Sequence, residues 1–366
     1  MPAAAVLEDD NLLSKILLRL PPHPSSLPRA SAVCKHWRSL ASDPAFSRRF
    51  RRHHRRNPPL LGWFVKDGNQ FRFESTLDAP NRVPEARFPC PIDAGDMRFR
   101  SLGCRHGFLL MLHASQGTLQ LLVWDPVNGH EHPLAIPPEF KNAVVNGAVL
   151  RTALGDIQNF QVVLVSIHLQ QRVVARVYSS QTGIWGNLIS TPLPPNGSNR
   201  YPALIDSSKP AVLVGDFLYI LLRGKSSSII EFDVDMQSLA VIPLPLGLDR
   251  SFSHRYSVMR AEGGGTGLLF ISESDCRAQL WKRMTDCDGV ASWVLGRTIA
   301  LDNLLSLDLQ NHWGITIQGF AEENNVVFLW ACGNVFKIQL DSLQFKKYHA
   351  FSSCWYPFEC VYAAGI

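Results

Sequence analysis

Residues 108–134 read FLLMLHASQGTLQLLVWDPVNGHEHPL, and this stretch sets the pattern for most of the chain. Two apolar runs of strand length are separated by a short polar turn, and the second run, TLQLLVW, alternates along its length. A turn of Asp, Pro, Asn and Gly then leads into the next segment. Runs of this length with such turns are typical of consecutive antiparallel strands. The stretch therefore predicts β-hairpins.

The same unit recurs along the chain at intervals of 49 to 57 residues. Each unit has a glycine or tight turn, an apolar strand, a polar turn and a further strand that contains an aromatic or aliphatic anchor. The anchors are Trp124, Tyr178, Phe232, Trp281 and Ile338. A divergent period near 50 residues with several strands per unit predicts a β-propeller of the kelch type. The length beyond residue 57 allows about six blades. Residues 63–73 (WFVKDGNQFRF) predict a first hairpin that closes the ring against C-terminal strands.

The first 56 residues have a helical pattern instead. Asp9 or Asp10 is a predicted cap for residues 11–20, and prolines at 21, 22 and 24 end that helix. Ser25 or Ser26 is a predicted cap for residues 27–41, and Asp43 followed by Pro44 predicts the start of a third helix. One apolar face is predicted for the second helix, made of Leu27, Ala30, Val33, Cys34, Trp37 and Leu40. We therefore expect a small three-helix unit at 1–56 and an all-β domain at 57–366.

The positive charge of the chain is concentrated at one place. The formal net charge is +5, but residues 48–56 (RRFRRHHRR) contain six arginines and no acid, so the remainder is close to neutral. Phe46 and Phe50 share one face of the predicted helix, and we expect Arg48, Arg49, Arg52 and Arg55 to spread over the other, solvated faces. Docking to an acidic partner is an alternative. Nucleic-acid binding is not expected, because aromatic residues for base stacking are missing nearby.

Several classes of protein are not expected from the sequence. No apolar run approaches the ~18 residues of a membrane span, and acidic residues interrupt the N-terminus before a secretory signal could form. The eight cysteines are scattered without a C-x-x-C pair, which predicts free thiols and no RING-type zinc site. The glycines at 263–267 are predicted to form a blade loop, and His130 and His132 an exposed turn with no third metal ligand. We expect no metal, no cofactor and no catalytic residues, although a catalytic set assembled from distant residues stays open.

The N-terminal pattern resembles an F-box. The resemblance rests on residues 7–13 (LEDDNLL), 16–21 (ILLRLP), 27–38 (LPRASAVCKHWR) and 43–46 (DPAF), with Val33, Cys34, Lys35, Trp37 and Arg38 as its core. Residues 104–112 (CRHGFLLML) and 123–129 (VWDPVNG) are similar to the propeller-like associated domains of plant F-box proteins. In one departure, Glu8 follows Leu7 where the family usually has a proline that contacts its partner. That departure predicts weaker adaptor binding.

The resemblance implies a non-catalytic substrate receptor of an SCF-type cullin–RING ubiquitin ligase in the cytoplasm or nucleus. F-box helices bind a Skp-family adaptor and, through it, a cullin, and the C-terminal domain binds a target protein. The residues that the resemblance places at the adaptor are Leu7, Leu12, Leu13, Ile16, Leu17, Leu20, Pro21, Leu27, Val33, Cys34 and Trp37. The same set is also compatible with an internal core of the three helices, and the target-binding residues are not identified.

Two further functions stay open at this point. One is a propeller enzyme or glycan-binding protein, since some kelch-like propellers are oxidases, and this class predicts a bound metal and usually a secretory signal. An F-box protein can also act as a scaffold outside any ligase.

Overall fold

The computed structural model describes residues 9–67, 70–92, 99–115, 118–151, 159–168, 171–194, 203–224, 228–245, 248, 255–307, 314–349 and 355–362. Helices lie at the N-terminal end of the chain, and strands begin at Leu60. The helices are α1 (Asp10–Leu18), α2 (Ser26–Ser31), α3 (Lys35–Ser42), α4 (Pro44–His54) and, between two strands much later, α5 (Leu301–Leu305).

Aspartate caps begin two of the N-terminal helices. The Asp9 carboxylate accepts hydrogen bonds from the backbone N–H groups of Asn11 and Leu12 at 2.8 and 3.1 Å. The Asp43 carboxylate does the same for the first turn of α4, where Pro44 occupies the first helical position. Both arrangements satisfy N–H groups that have no partner inside the helix. The predicted starts of the first and third helices are confirmed.

The prediction of one continuous helix over residues 27–41 is wrong. Helix α2 ends at Ser31, and α3 begins at Lys35 after Cys34, whose backbone is extended with φ of −161°. The Val33 N–H closes the end of α2 by donating to the Ala30 carbonyl at 3.1 Å. The predicted common face is therefore not formed. Leu27 is buried, whereas Val33 is 63% exposed.

The strands form a six-bladed β-propeller, as predicted. Blade 1 has β3 (Arg100–Arg105), β4 (Phe108–Ser115), β5 (Thr118–Asp125) and β6 (His130–Ala135). Blade 2 has β7 (Val145–Arg151), β8 (Phe160–His168), β9 (Arg172–Ser179), β10 (Ile184–Trp185) and β11 (Ile189–Pro192). Blade 3 has β12 (Leu204–Ile205), β13 (Val212–Val214), β14 (Phe217–Arg223), β15 (Ser228–Asp233) and β16 (Ser238–Pro243).

Two further blades have four strands each, and the last has three. Blade 4 has β17 (Tyr256–Arg260), β18 (Thr266–Ser272), β19 (Arg277–Thr285) and β20 (Ala291–Ala300). Blade 5 has β21 (Thr316–Ala321), β22 (Val326–Ala331), β23 (Asn334–Gln339) and β24 (Phe345–Tyr348). The closing blade joins β25 (Trp355–Glu359) to β1 (Leu60–Asp67) and β2 (Gln70–Ser75).

The closing blade joins the two ends of the β region, as the sequence predicts. Strand β1 pairs antiparallel with both β2 and β25, and Trp63 lies opposite Pro357. The Trp63 ring stacks on Trp355 with centroids 4.2 Å apart. Stacked and edge-to-face aromatic pairs add to the stabilisation from burial. The ring is therefore closed by noncovalent pairing of a C-terminal strand with an N-terminal one.

Six apolar clusters hold the ring together, one between each pair of neighbouring blades. The cluster between blades 1 and 2, for example, packs Val123 of β5 against Val162 of β8. Every repeat anchor lies in the third strand of its blade. Inner strands of adjacent blades contact one another around a central channel, including β3 with β7 and β21 with β25. Because successive side chains of a strand point to opposite faces of its sheet, each strand contributes to the apolar cores on both sides of its blade.

The antiparallel topology gives the disc two different faces. The turns between first and second strands and between third and fourth strands lie on one face, which we call the hairpin face. The turns between second and third strands and the connections between blades lie on the other, which we call the loop face. Residues 106–107 and 215–216 are short turns of the hairpin face. Residues 136–144 are a longer connection of the loop face.

Candidate functional site

The N-terminal helices enclose a small apolar core. Leu13 and Leu17 of α1 have no exposed surface, and Leu27, Phe46 and Phe50 are also buried there. Because α1 and α4 are amphipathic, positions one turn apart on each helix point to the same interior. We call this set the helical core.

The neighbouring apolar residues lie on the outside of the same helices. Leu12 and Ile16 are 40% and 38% exposed, although each stands directly before a fully buried leucine. Val33 is more exposed still, and Cys34 beside it is also exposed. Large apolar side chains at these exposures are unfavourable in water when they occur together. We call Leu12, Ile16, Val33 and Cys34 the apolar patch.

A side-chain contact connects the two helices that carry or adjoin these exposed residues. His36 Nε2 lies 3.2 Å from the Asp10 carboxylate, which joins the first turn of α3 to the first turn of α1. Leu12 follows Asp10 by two residues, and Val33 precedes His36 by three. The break between α2 and α3 is what carries Val33 and Cys34 out of the helical core. The helical unit therefore has exposed apolar residues on its surface as well as a buried apolar core.

The eleven residues predicted to contact an adaptor fall into four groups. Leu13, Leu17 and Leu27 are fully buried, whereas Leu20 and Trp37 are half-buried beside the helical core. Leu7 lies outside the described residues. The remaining five are exposed: Leu12, Ile16, Pro21, Val33 and Cys34.

The helical unit is fixed to the hairpin face of the propeller. Val361, two residues after the end of β25, is buried in the helical core among the side chains of α1, α2 and α4. The Ser25 hydroxyl donates to Asn81 Oδ1 at 2.7 Å, and Arg51 Nη1 donates to Asn128 Oδ1 at 3.1 Å. Asn128 lies in the turn between β5 and β6. These contacts attach the helices beside the closing blade and blade 1.

A buried ion pair spans the central channel. Arg105 Nε donates to Glu322 Oε2 at 2.7 Å, and Arg105 Nη2 donates to the Ala211 carbonyl at 2.8 Å. Glu322 Oε1 also accepts from the Leu213 N–H at 3.0 Å. Burial disfavours the charge on Arg105, but the Glu322 carboxylate outweighs it and raises the Arg105 pKa. The pair thereby connects blades 1, 3 and 5 through the middle of the ring.

A small cleft lies where α4 meets the propeller, and we call it the junction cleft. It is lined by Arg51 and Arg55 of α4, His106 of the β3–β4 turn, Arg151 of β7 and Cys360. Burial, together with Arg105 and Arg151, lowers the pKa of His106 to about 3. Burial raises the pKa of Cys360 to about 12. Neither side chain therefore carries a charge in this cleft near neutral pH.

The basic helix departs from the expectation at one position. Phe46 and Phe50 lie in the helical core, and Arg48, Arg49 and Arg52 are exposed, as expected. Arg55, however, is half-buried at the junction cleft and is not on a solvated face. Arg51 and Arg55 are one helical turn apart, so their spacing was a signal that both face the same neighbour. Nothing in the local sequence indicates that this neighbour is the propeller.

The remaining motifs lie on blade surfaces. Gly263, Gly264 and Gly265 form the β17–β18 turn with positive φ, so the predicted blade loop is confirmed. His130 and His132 lie on the exposed strand β6 and not in a turn. Within the described residues there is no group of three or more His, Cys, Asp or Glu side chains that could hold a metal ion. Their helices are also too short or too polar to cross a membrane.

Comparisons with known proteins follow the division of the chain into helices and blades. A family model described as "F-box protein AT5G49610-like, beta-propeller" matches residues 101–358, and a model described as "F-box-like" matches residues 10–53. A protein of Arabidopsis thaliana described as an F-box/kelch-repeat protein, At1g15680, is 24% identical over 336 residues. That alignment covers 83% of this chain and 74% of the Arabidopsis protein.

Solved structures are similar to this chain only at a low level. The Dos1 propeller shares 11% identity with a TM-score of 0.38, over 80% of this chain and 68% of that chain. AofleA from Arthrobotrys oligospora shares 13% identity with a TM-score of 0.38, over 70% of this chain and 71% of that chain. Similarity at this level carries no argument about function.

Proposed function

The chain belongs to the family of F-box proteins with an AT5G49610-like β-propeller, and from this membership we propose that it is the substrate-recognition subunit of an SCF-type cullin–RING ubiquitin ligase. In this role it binds a Skp-family adaptor through residues 1–56 and a target protein through residues 57–366. It contributes no catalytic residue of its own. It brings a target close to chemistry that other subunits perform, in the cytoplasm or nucleus.

The apolar patch is the observation that carries the adaptor part of the proposal. Leu12, Ile16 and Val33 expose large apolar surface on a unit whose sequence matches an F-box model. Burying such surface against a partner is favourable by roughly 25 cal/mol for each Å² removed from water. The fully buried members of the predicted set, such as Leu17, support the patch from beneath. We therefore assign direct contact to the exposed residues and a supporting role to the buried ones.

The loop face of the propeller is our candidate for target binding. The helical unit occupies part of the hairpin face, so a target on the loop face would not compete with the adaptor. Connections between blades on the loop face, such as residues 136–144, are longer than hairpin turns such as residues 106–107. Long surface loops on a rigid scaffold are common positions for recognition residues. The proposal leaves the identity of the target open.

A double substitution in the apolar patch tests adaptor binding. The variant Ile16→Asp with Val33→Asp places two charges on the patch without entering the helical core. We expect purified full-length variant to bind a Skp-family adaptor at least ~30-fold more weakly than wild type, because two central contacts typically contribute over ~1 kcal/mol each. Isothermal titration calorimetry measures the change. Circular dichroism and thermal unfolding should match those of wild type.

A matched control places the same charges on another exposed apolar surface. Val290→Asp with Val294→Asp changes two exposed residues at the β19–β20 hairpin of blade 4. This control should keep the wild-type affinity for the adaptor. Undiminished adaptor binding by the Ile16 and Val33 variant would refute the assignment of the patch. Adaptor binding without recruitment of a cullin would favour the scaffold role over the ligase role.

A further inference from the structure

Helix α4 presents three faces to three environments. Phe46 and Phe50 point into the helical core, and Arg49 and Arg52 are exposed to solvent. The third face carries Arg51 and Arg55, which are half-buried against the propeller and line the junction cleft. The cleft has a volume of about 50 Å³. Two arginines from the helical unit thus face a cavity whose opposite wall belongs to blades 1 and 2.

The opposite wall supplies a third arginine. Arg151 Nη2 donates to the His106 carbonyl at 2.7 Å, while its Nε is buried and donates to no acceptor. Arg51 donates only to a neutral amide, that of Asn128. Arg55 makes no hydrogen bond or ion pair with any other residue that the structure describes. Three guanidinium groups therefore converge without a carboxylate partner among the described residues.

The two acidic side chains at the cleft, Asp125 and Glu359, accept hydrogen bonds from groups other than the three arginines. Asp125 Oδ1 accepts from the backbone N–H groups of Val127 and Asn128 at 3.0 and 3.1 Å, and Oδ2 accepts from the Asn128 amide at 2.6 Å. Glu359 accepts from Asn324 Nδ2 at 2.7 Å and from two backbone N–H groups. Burial raises the Glu359 pKa to about 7, so this carboxyl is only partly ionised near neutral pH. The positive charge of the cleft therefore exceeds its negative charge.

This arrangement is electrostatically unfavourable when the cleft holds only water. Burial lowers the pKa of Arg151, and the positive charges of Arg55 and Arg51 lower it further. Cys360 and Asp125 act in the opposite direction and raise it. Like charges in a partly desolvated site repel each other more strongly than in water. A bound anion removes the repulsion. Planar guanidinium forks match the oxygen atoms of a phosphate group particularly well.

We propose that the junction cleft binds the phosphate group of a phosphate monoester, held by Arg51 and Arg55 of α4 and by Arg151 of β7. The small volume of the cleft fits a single phosphate group and not a whole nucleotide. The group would connect the helical unit to blades 1 and 2 and fix their relative position. It belongs either to a small soluble phosphorylated compound or to a phosphorylated side chain of a protein. The site is separate from the apolar patch and does not rest on adaptor binding.

Equilibrium dialysis of the full-length protein with radiolabelled inorganic phosphate tests the proposal. We expect one saturable site per chain in buffer whose ionic strength is held constant with chloride. Arg55→Gln should weaken binding at least ~10-fold, because a charge-assisted contact contributes on the order of 1.5–3 kcal/mol. Arg55 has no hydrogen bond or ion pair to lose among the described residues, so this variant should fold normally. Arg49→Gln removes the same charge from the solvent face of α4 and should keep the wild-type affinity.

Competition then identifies the source of the phosphate group. Displacement by a short phosphoserine peptide, but not by its unphosphorylated form, indicates a protein ligand. Displacement by glycerol 3-phosphate but not by the phosphopeptide indicates a small soluble ligand. Absence of saturable binding, or equal loss of affinity in Arg55→Gln and Arg49→Gln, would overturn the proposal. An intact adaptor affinity in the Arg55→Gln protein keeps this result distinct from any failure of the proposed ligase role.

Discussion

His106 shows how strongly a single buried side chain can depend on its surroundings. It occupies a two-residue turn with a φ of 54°, and Arg105 and Arg151 lie close to its ring. Burial and these two cations lower its pKa to about 3, so the folded protein holds a neutral imidazole. The unfolded chain, with a pKa near 6.5, takes up a proton first as the pH falls. Stability due to the neutral ring is therefore lost between pH 6.5 and pH 3.

His106→Asn should flatten this acid dependence. Asparagine tolerates positive φ and does not titrate, so the turn can keep its shape. Between pH 7.5 and pH 5 we expect the free energy of unfolding of wild type to fall by on the order of 2 kcal/mol relative to the variant. Urea unfolding followed by tryptophan fluorescence measures both proteins. Parallel pH curves would contradict the lowered pKa.

At the residue scale, the sequence predicted which residues are apolar but not which way each one points. Leu12 and Leu13 are adjacent, as are Ile16 and Leu17, and a helical pattern accepts either member of each pair as core. Leu13 and Leu17 are buried because α4 and Val361 pack against that side of α1. Those neighbours come from distant parts of the chain. Periodicity within one helix contains no information about them.

At the scale of the element, local chemistry predicted helix starts better than helix continuity. The caps at Asp9 and Asp43 need only the side chain and the next three residues, so they can be read from the sequence. Residues 32–34, where α2 and α3 are separated, contain no glycine or proline that would predict the break. Cys34 is extended there, and the exposed position of Val33 depends on this change of direction. Hairpin strand pairs were predictable for a similar reason, because an apolar run and the turn that follows it are both local in the sequence.

Asp43→Ala should destabilise α4 selectively. The Asp43 carboxylate accepts from the Ala45 and Phe46 N–H groups at 3.1 Å each, and alanine leaves both without this partner. We expect a loss of about 1 kcal/mol, seen as faster amide hydrogen exchange in the first turn of α4. Asp43→Asn keeps an acceptor oxygen and should lose much less. Equal exchange rates in wild type and Asp43→Ala would argue against the cap.

At the scale of the whole molecule, the closing blade and the central ion pair are the features that no single repeat contains. The hairpin at 63–73 was predicted to meet C-terminal strands, because a ring of repeats needs a closure. The Arg105–Glu322 pair was not predicted, since its two residues lie in different blades and neither motif differs from an ordinary turn. Contacts of this range depend on the closed ring and not on local sequence.

Truncation before Trp355 should open the ring. It removes β25 together with buried Trp355, Tyr356 and Phe358, and each buried aromatic side chain contributes roughly 1.5–3 kcal/mol. The combined loss is comparable with the whole stability of a typical domain, so we expect loss of cooperative thermal unfolding. A synthetic peptide of residues 355–362 added in trans should restore it in part. Cooperative unfolding of the truncated chain by calorimetry would contradict the role of β25 in closure.

The position of Val361 has a consequence for the order in which the protein can be made. Chains leave the ribosome from the N-terminus at about 5–20 residues per second, and N-terminal domains generally fold first. Here the helices at residues 10–54 emerge first, yet one buried member of their core is Val361, which follows the strand that closes the propeller. The same residues that complete the helical core also follow the strand that closes the ring. Neither the helical core nor the closing blade can therefore be complete in a nascent chain until residue 361 has left the ribosome.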